Sequence, residues 1–128
     1  MPQKTVLVVD DSSTIRVRIS RILDTAGYRV IQATDGQQAL DMLSQRPDLM
    51  ILDVVMPGMD GYDVCQNLDQ QEQDYSNLPI LFLTSLDNQA LRLLGHQYGA
   101  YMQKPIEEAK FLTTIEELIQ LAENEQMA

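Results

Sequence analysis

Ionisable and hydroxyl side chains stand at the ends of several apolar runs in this sequence. These runs end in Asp10 and Asp11, in Asp53, in Thr84 and in Lys104. A set of carboxylates without histidine or cysteine favours Mg²⁺, which prefers oxygen ligands. A lysine beside such a cation offers further positive charge to a phosphoryl group, and phosphoryl transfer depends mainly on positioning and charge neutralisation. The residue types therefore predict a Mg²⁺-dependent phosphoryl-transfer site.

The apolar patterns predict the strands and helices that would position these side chains. Short apolar runs, typical of strands buried on both faces, predict strands at 4–11, 28–33, 48–53, 79–84 and 100–103. Apolar residues at helical spacing predict helices from Ser12 or Ser13 to Gly27, and at 35–46, 61–69, 87–99 and 107–124. This alternation predicts an α/β fold, in which a doubly wound five-stranded parallel sheet is covered by five helices.

The order of the strands decides where the polar residues meet. In the flavodoxin-like order 2-1-3-4-5, ligands bind between the first and third strands, outside their carboxyl ends. Asp10 and Asp53 end those two strands. A strand-end aspartate or threonine taken alone often only caps the next helix, and Lys104 taken alone could lie along the surface. Their convergence at one edge instead predicts a single site, in which Asp53 is the candidate nucleophile that becomes an aspartyl phosphate.

Length and composition limit the classes of protein that this chain can represent. At 128 residues, one domain spanning 1–128 is expected, with a core at about 4–122 and a short acidic tail that frays after Leu121. The formal net charge of −10 disfavours a nucleic-acid-binding surface. No apolar stretch reaches the roughly 20 residues that span a bilayer, and nothing resembles a secretion signal. With Cys65 as its one cysteine, the chain is expected to be cytoplasmic.

Four segments resemble the receiver domain of two-component response regulators, the CheY-like family. They are "VDDS", "LDVVMPGMDGYDV", "PILFLTS" and "KP", and the resemblance covers roughly residues 4–122. It implies that Asp53 accepts a phosphoryl group from a histidine kinase or a phosphotransfer protein. It also implies that Mg²⁺ is held by Asp10, Asp11, Asp53 and the backbone carbonyl of Val55.

The same resemblance gives roles to residues beyond the metal site. It implies that Lys104 binds a phosphoryl oxygen, that Thr84 hydrogen-bonds the phosphoryl group, and that Tyr101 reorients with it as the aromatic residue of a switch. The Lys104–Pro105 peptide bond is expected to be cis. Tyr101 directly follows Gly99–Ala100, where many receivers have two more residues, so the loop entering the fifth strand should be short.

The resemblance implies a signalling protein rather than an enzyme. A stand-alone receiver would signal by a conformational switch to a downstream protein, and a phosphorylation-dependent homodimer is one form that this output could take. Two alternatives belong to other classes. A Mg²⁺-dependent phosphoaspartate phosphatase on a similar fold needs a second acid two residues after its nucleophile, where this chain has Val55. A flavin-binding electron carrier needs a phosphate-binding loop after the first strand.

Three arginines give the first predicted helix a positive charge in an acidic protein. Arg16, Arg18 and Arg21 predict either a solvated helix face or a docking surface for an acidic phosphodonor. Both interpretations treat the three side chains alike.

Overall fold

A computed structural model describes residues 3–54, 56, 58–71, 75, 77–85 and 89–127. Within these residues, five strands alternate with five α-helices. The strands are β1 (Thr5–Val9), β2 (Arg29–Ala33), β3 (Leu49–Asp53), β4 (Ile80–Thr84) and β5 (Gly99–Gln103). The helices are α1 (Ser13–Thr25), α2 (Gly36–Met42), α3 (Gly61–Asp69), α4 (Gln89–Tyr98) and α5 (Glu108–Met127), and the 3₁₀ turn Leu43–Gln45 follows α2.

The strands form one parallel sheet in the order β2-β1-β3-β4-β5, which confirms the predicted doubly wound arrangement. Successive residues of a strand face opposite sides of a sheet, so each central strand contributes to two apolar layers. Leu52 and Phe82 belong to the layer under α2 and α3, whereas Ile51 and Leu83 belong to the layer under α1 and α5. Burial on both faces explains why the sequences of these strands are continuously apolar.

Side-chain caps define where two of the helices begin. The Ser12 hydroxyl oxygen accepts a hydrogen bond of 3.3 Å from the Ile15 N–H, so α1 begins directly after Ser12. At the start of α3, the Asp60 carboxylate accepts from the Asp63 N–H and the Asp63 carboxylate accepts from the Asp60 N–H. This reciprocal capping box satisfies two backbone donors that a helix start leaves without partners.

The second helix ends earlier than predicted. It stops at Met42, and the chain continues as a 3₁₀ turn up to Gln45. Arg46 then takes a left-handed conformation, with φ 53°, and Pro47 follows it. A residue before proline is disfavoured in the right-handed helical conformation, so the local sequence ends the helix here. The prediction of a helix up to residue 46 considered only the spacing of apolar residues.

The last helix is longer than predicted. It continues to Met127, past the predicted end at 124, and no fraying is seen after Leu121. Alanine, glutamate, glutamine and methionine in this last part are good helix formers, and Glu123 forms an ion pair with Lys4, next to β1. Neither α5 nor another helix in the described part of the chain is both long and apolar enough to cross a membrane.

A buried thiol and a half-buried phenol predict that the fold loses stability at alkaline pH. Burial raises the pKa of the Cys65 thiol from 9.0 to about 12. Burial, helped by a 2.8 Å hydrogen bond to Asp69, raises the pKa of the Tyr98 hydroxyl from 10.0 to about 12. The folded protein therefore keeps protons that the unfolded chain releases. The free energy of unfolding should consequently fall as the pH rises from about 9 to about 12.

Urea unfolding followed by circular dichroism between about pH 8 and about pH 11 would measure this decline. The matched variant is Cys65→Ala combined with Tyr98→Phe, which removes both titrating groups and keeps most of the apolar volume. Its free energy of unfolding should decline less over the same range. An equal decline in the variant and the wild type would contradict the assignment to these two residues.

Candidate functional site

The parallel sheet brings the polar strand ends to one edge. β1 and β3 are neighbours, and Asp10 comes directly after β1 while Asp53 is the last residue of β3. Thr84 ends β4, and Lys104 follows the last residue of β5. Because parallel strands present their carboxyl ends on the same side, the predicted convergence of these residues is observed.

Three carboxylates and one ammonium group lie together at this edge. One oxygen atom from each of Asp10, Asp11 and Asp53 lies within 4.8 Å of the other two. The Lys104 Nζ atom lies 3.1 Å from Asp10 Oδ2 and 3.7 Å from Asp53 Oδ2. Asp10 is 2% exposed and Asp53 is 7% exposed, whereas Asp11 is exposed to solvent. The Lys104 ammonium therefore contacts both Asp10 and Asp53, and its single charge offsets only part of the three negative charges.

The donor set fits Mg²⁺. Every candidate ligand in the described cluster is a carboxylate oxygen, and Mg²⁺ is held by a few such oxygens while it keeps several of its waters. Three like charges at this separation repel one another, and a divalent cation relieves that repulsion. Asp10, Asp11 and Asp53 are the residues that would hold the ion. Val55, whose carbonyl is predicted to be a further ligand, lies outside the described residues.

Thr84 and Tyr101 lie on the same face of the sheet. In the register between β4 and β5, Phe82 pairs with Tyr101 and Thr84 pairs with Gln103. Alternate residues of a strand share a face, so Thr84 follows Phe82 on the side where Tyr101 packs. Thr84 is fully buried and Tyr101 is half-buried. This placement gives Tyr101 the position that the predicted switch requires, while its role stays a prediction.

The chain enters the fifth strand directly from the preceding helix, so the predicted short loop is reduced to no residue at all. α4 ends at Tyr98 and β5 begins at Gly99, with no residue between them. Gly95 lies so close to the strand that a Cβ atom there would be 2.6 Å from the Tyr101 Cβ atom. After β5, the Lys104 N–H donates a 2.8 Å hydrogen bond to the Thr84 carbonyl, and the Lys104–Pro105 peptide bond is cis.

Arg16 contacts the site, although the sequence interpretation grouped it with two surface arginines. Its Nη1 atom donates a 2.6 Å hydrogen bond to the Asp10 carbonyl oxygen. Arg16 is half-buried, whereas Arg18 and Arg21 are exposed. One signal in the sequence could have indicated this difference: Arg16 falls in the first turn of a helix that begins two residues after the acid pair.

Comparisons with known proteins agree with this geometry. The model of the response regulator receiver domain family matches residues 6–116. The alkaline phosphatase synthesis transcriptional regulatory protein PhoP of Bacillus subtilis is 43% identical over 105 residues, which are 80% of this chain and 42% of the relative. The response regulator MprA of Mycobacterium bovis is 40% identical over 126 residues, which are 96% of this chain and 54% of the relative. The chain thus spans about half the length of the curated relatives it matches.

A solved structure is similar over nearly its whole length. The chemotaxis protein CheY4 of Vibrio cholerae is 35% identical and superimposes with a TM-score of 0.82. The match covers 91% of this chain and 99% of that protein's chain.

Proposed function

The chain belongs to the response regulator receiver domain family, and we propose on this basis that Asp53 accepts a phosphoryl group from a histidine kinase or a phosphotransfer protein. One observation supports the proposal above the others. The nearly buried Asp53 carboxylate ends a central strand, with oxygens of Asp10 and Asp11 within 4.8 Å and the Lys104 ammonium at 3.7 Å. A nucleophile, a metal-binding acid pair and a fixed positive charge are thus gathered in one place.

The reaction follows from the charges of these side chains. An Asp53 oxygen would form a bond to the phosphorus atom as the bond to the donor's imidazole nitrogen breaks, and that nitrogen keeps the electron pair. Lys104 would leave its contacts with the carboxylates and bind a phosphoryl oxygen, since its ammonium already reaches Asp53. Asp10 and Asp11 would hold Mg²⁺, which when bound supplies further positive charge against the phosphoryl oxygens.

A direct test uses a small phosphodonor in place of a protein. Incubation with acetyl phosphate and Mg²⁺ should raise the intact mass by one phosphoryl group, and the adduct should be cleaved by hydroxylamine, as acyl phosphates are. Chelation of Mg²⁺ with EDTA beforehand should prevent the gain, because the three carboxylates then keep their mutual repulsion. A protein that gains no phosphoryl group with Mg²⁺ present would contradict the proposal.

The face beside the site is proposed to dock the protein donor. A cavity of about 350 Å³ lies between α1 and the chain after β5, and it is lined by apolar groups of Ile15, Ile19, Pro105 and Ile106 and by Lys104. Arg18 lines this cavity too, and with Arg21 it also lines a second, open depression on the same side. An apolar centre flanked by positive charge suits a donor surface that carries carboxylates around an apolar side chain.

Charge reversal on this face should slow transfer from a protein donor. For Arg18→Glu combined with Arg21→Glu, we expect phosphotransfer from a phosphorylated histidine phosphotransfer protein to slow by about tenfold or more at low ionic strength. Phosphorylation by acetyl phosphate should keep its wild-type rate, because both arginines lie outside the acid cluster. Arg29→Glu, on β2, is the control for a change of net charge elsewhere. Equal rates with the protein donor for wild type and double variant would favour a merely solvated face.

The output is proposed to be a change of conformation that a protein partner reads. Thr84 would bind the phosphoryl group and Tyr101, on the same sheet face, would respond to it, so that phosphorylation shifts the population between two states. In this proposal the protein is a signalling component that acts in the cytoplasm, and it is not an enzyme with substrates of its own. A phosphorylation-dependent homodimer and a stand-alone receiver both stay predictions.

A further inference from the structure

Asp10 is held through every one of its polar atoms. Its N–H donates to the Ala33 carbonyl at 3.2 Å. Its carboxylate accepts from the Ser12 N–H at 2.9 Å through Oδ1 and from Lys104 Nζ at 3.1 Å through Oδ2. Its carbonyl oxygen accepts from Arg16 Nη1 at 2.6 Å. This last hydrogen bond joins the Arg16 side chain to the backbone of Asp10 and not to a carboxylate.

The Arg16 hydrogen bond acts on the peptide that joins the two acids. The Asp10 carbonyl belongs to the peptide unit between Asp10 and Asp11, and a peptide unit is planar. Fixing that oxygen therefore fixes the direction in which the chain enters Asp11. The Asp11 side chain is exposed, and its carboxylate extends from the backbone whose direction this hydrogen bond sets.

We propose that Arg16 is a positioning residue of the Mg²⁺ site, which reaches back from the first turn of α1 to set the peptide between Asp10 and Asp11 and so aligns their carboxylates. The proposal rests on the function proposed above, because it needs a metal at the acid cluster. Groups that orient metal ligands without touching the metal commonly change metal affinity by about 10- to 100-fold when they are removed.

Positioning and simple charge predict opposite effects of removing Arg16. The guanidinium places a positive charge beside three carboxylates, so if charge alone mattered, its removal would make the cluster more negative and would strengthen the binding of a cation. If Arg16 positions the acid pair, its removal leaves Asp11 without a fixed direction and weakens binding. The sign of the change in Mg²⁺ affinity therefore separates the two.

The experiment is calorimetric titration of MgCl₂ into the purified, metal-free full chain. The expected result for Arg16→Ala is a dissociation constant for Mg²⁺ at least about tenfold higher than that of the wild type. Arg16→Lys keeps the charge and one N–H donor and should recover most of the affinity. Arg29→Ala removes an equal charge from an exposed position on β2, away from the acid cluster and the docking face, and should stay close to the wild type. Arg16→Gln keeps much of the side-chain packing and replaces Arg16→Ala if that variant does not fold.

A second readout uses the protein without metal. In amide NMR spectra recorded in EDTA, Arg16→Ala should shift the Asp11 and Ser12 resonances, while the melting temperature shows that the fold is kept. A dissociation constant equal to or lower than that of the wild type would overturn the inference while leaving the proposed function intact. A wild-type protein that binds no Mg²⁺ would instead overturn the proposed function, and the inference with it.

Discussion

Asp53→Asn is expected to abolish phosphorylation by acetyl phosphate in the presence of Mg²⁺. Asparagine has nearly the same shape as aspartate, so the end of β3 should keep its conformation. The amide oxygen carries no negative charge and is a poor nucleophile, so it cannot form the acyl phosphate. Intact mass spectrometry of the two proteins under the same conditions measures the effect: one added phosphoryl group in the wild type and none in the variant.

The same substitution has a second expected effect, on stability without metal. Asp53 is nearly buried beside Asp10 and Asp11, so its removal relieves repulsion among three carboxylates. The melting temperature in EDTA should be equal to or higher than that of the wild type, and the rise on adding Mg²⁺ should be smaller, because a ligand is lost.

Asp24→Asn is the matched control for this prediction. Asp24 is an exposed carboxylate near the end of α1, and its replacement should leave both phosphorylation and the response to Mg²⁺ unchanged. A full phosphoryl gain in Asp53→Asn would show that the acceptor is another residue.

Of the substitutions proposed for this protein, Gly99→Ala is expected to lower the free energy of unfolding most. A Cβ atom at Gly99 would lie 2.3 Å from the Ile80 carbonyl oxygen and 2.9 Å from the Ile80 nitrogen. Both are backbone atoms of the neighbouring strand, so no side-chain rotation can make room. Gly99 pairs with Ile80 at the start of the β4–β5 ladder, and relief of the clash would separate the strands there. Forced overpacking of this kind costs about 1–3 kcal/mol or more in the free energy of unfolding.

Urea unfolding of the wild type and Gly99→Ala measures this loss. Gln103→Ala is the control, because it lies at the other end of β5 and is exposed, so its effect should stay within about 0.5 kcal/mol. In an unhindered strand, replacing glycine by alanine is stabilising, since it reduces the entropy of the unfolded chain. An unchanged or higher stability for Gly99→Ala would therefore contradict the close approach of the two strands.

The architecture and the convergence of the acids could be predicted because each depends on a short-range pattern. Continuous apolar runs are required by a sheet that is covered on both faces, and the alternation with helices is required by parallel strands. Ser12 caps α1 through its own hydroxyl. Asp10 and Asp53 could be assigned to one edge because strand direction follows from topology, with no knowledge of side-chain conformation.

Other features depend on side-chain reach and on contacts between distant segments, which spacing does not encode. The helix α1 carries three arginines, Arg16, Arg18 and Arg21. Only Arg16 reaches the Asp10 carbonyl, because it lies in the first turn, next to the segment that joins β1 to α1. The close approach of Gly99 to Ile80 could not be predicted either, since it depends on how β5 meets β4.

The direct junction between α4 and β5 anchors the helix to the sheet at its C-terminal end. Gly99 is paired with Ile80 in the sheet, Tyr98 is tied to Asp69 of α3, and Gly95 rests on the backbone and Cβ atom of Tyr101. These contacts restrict movement of the chain at the point where the helix ends and the strand begins. Any tilt of α4 would therefore be smallest beside Gly99 and greatest at the N-terminal end of the helix. That end comes after β4, the strand that ends in Thr84.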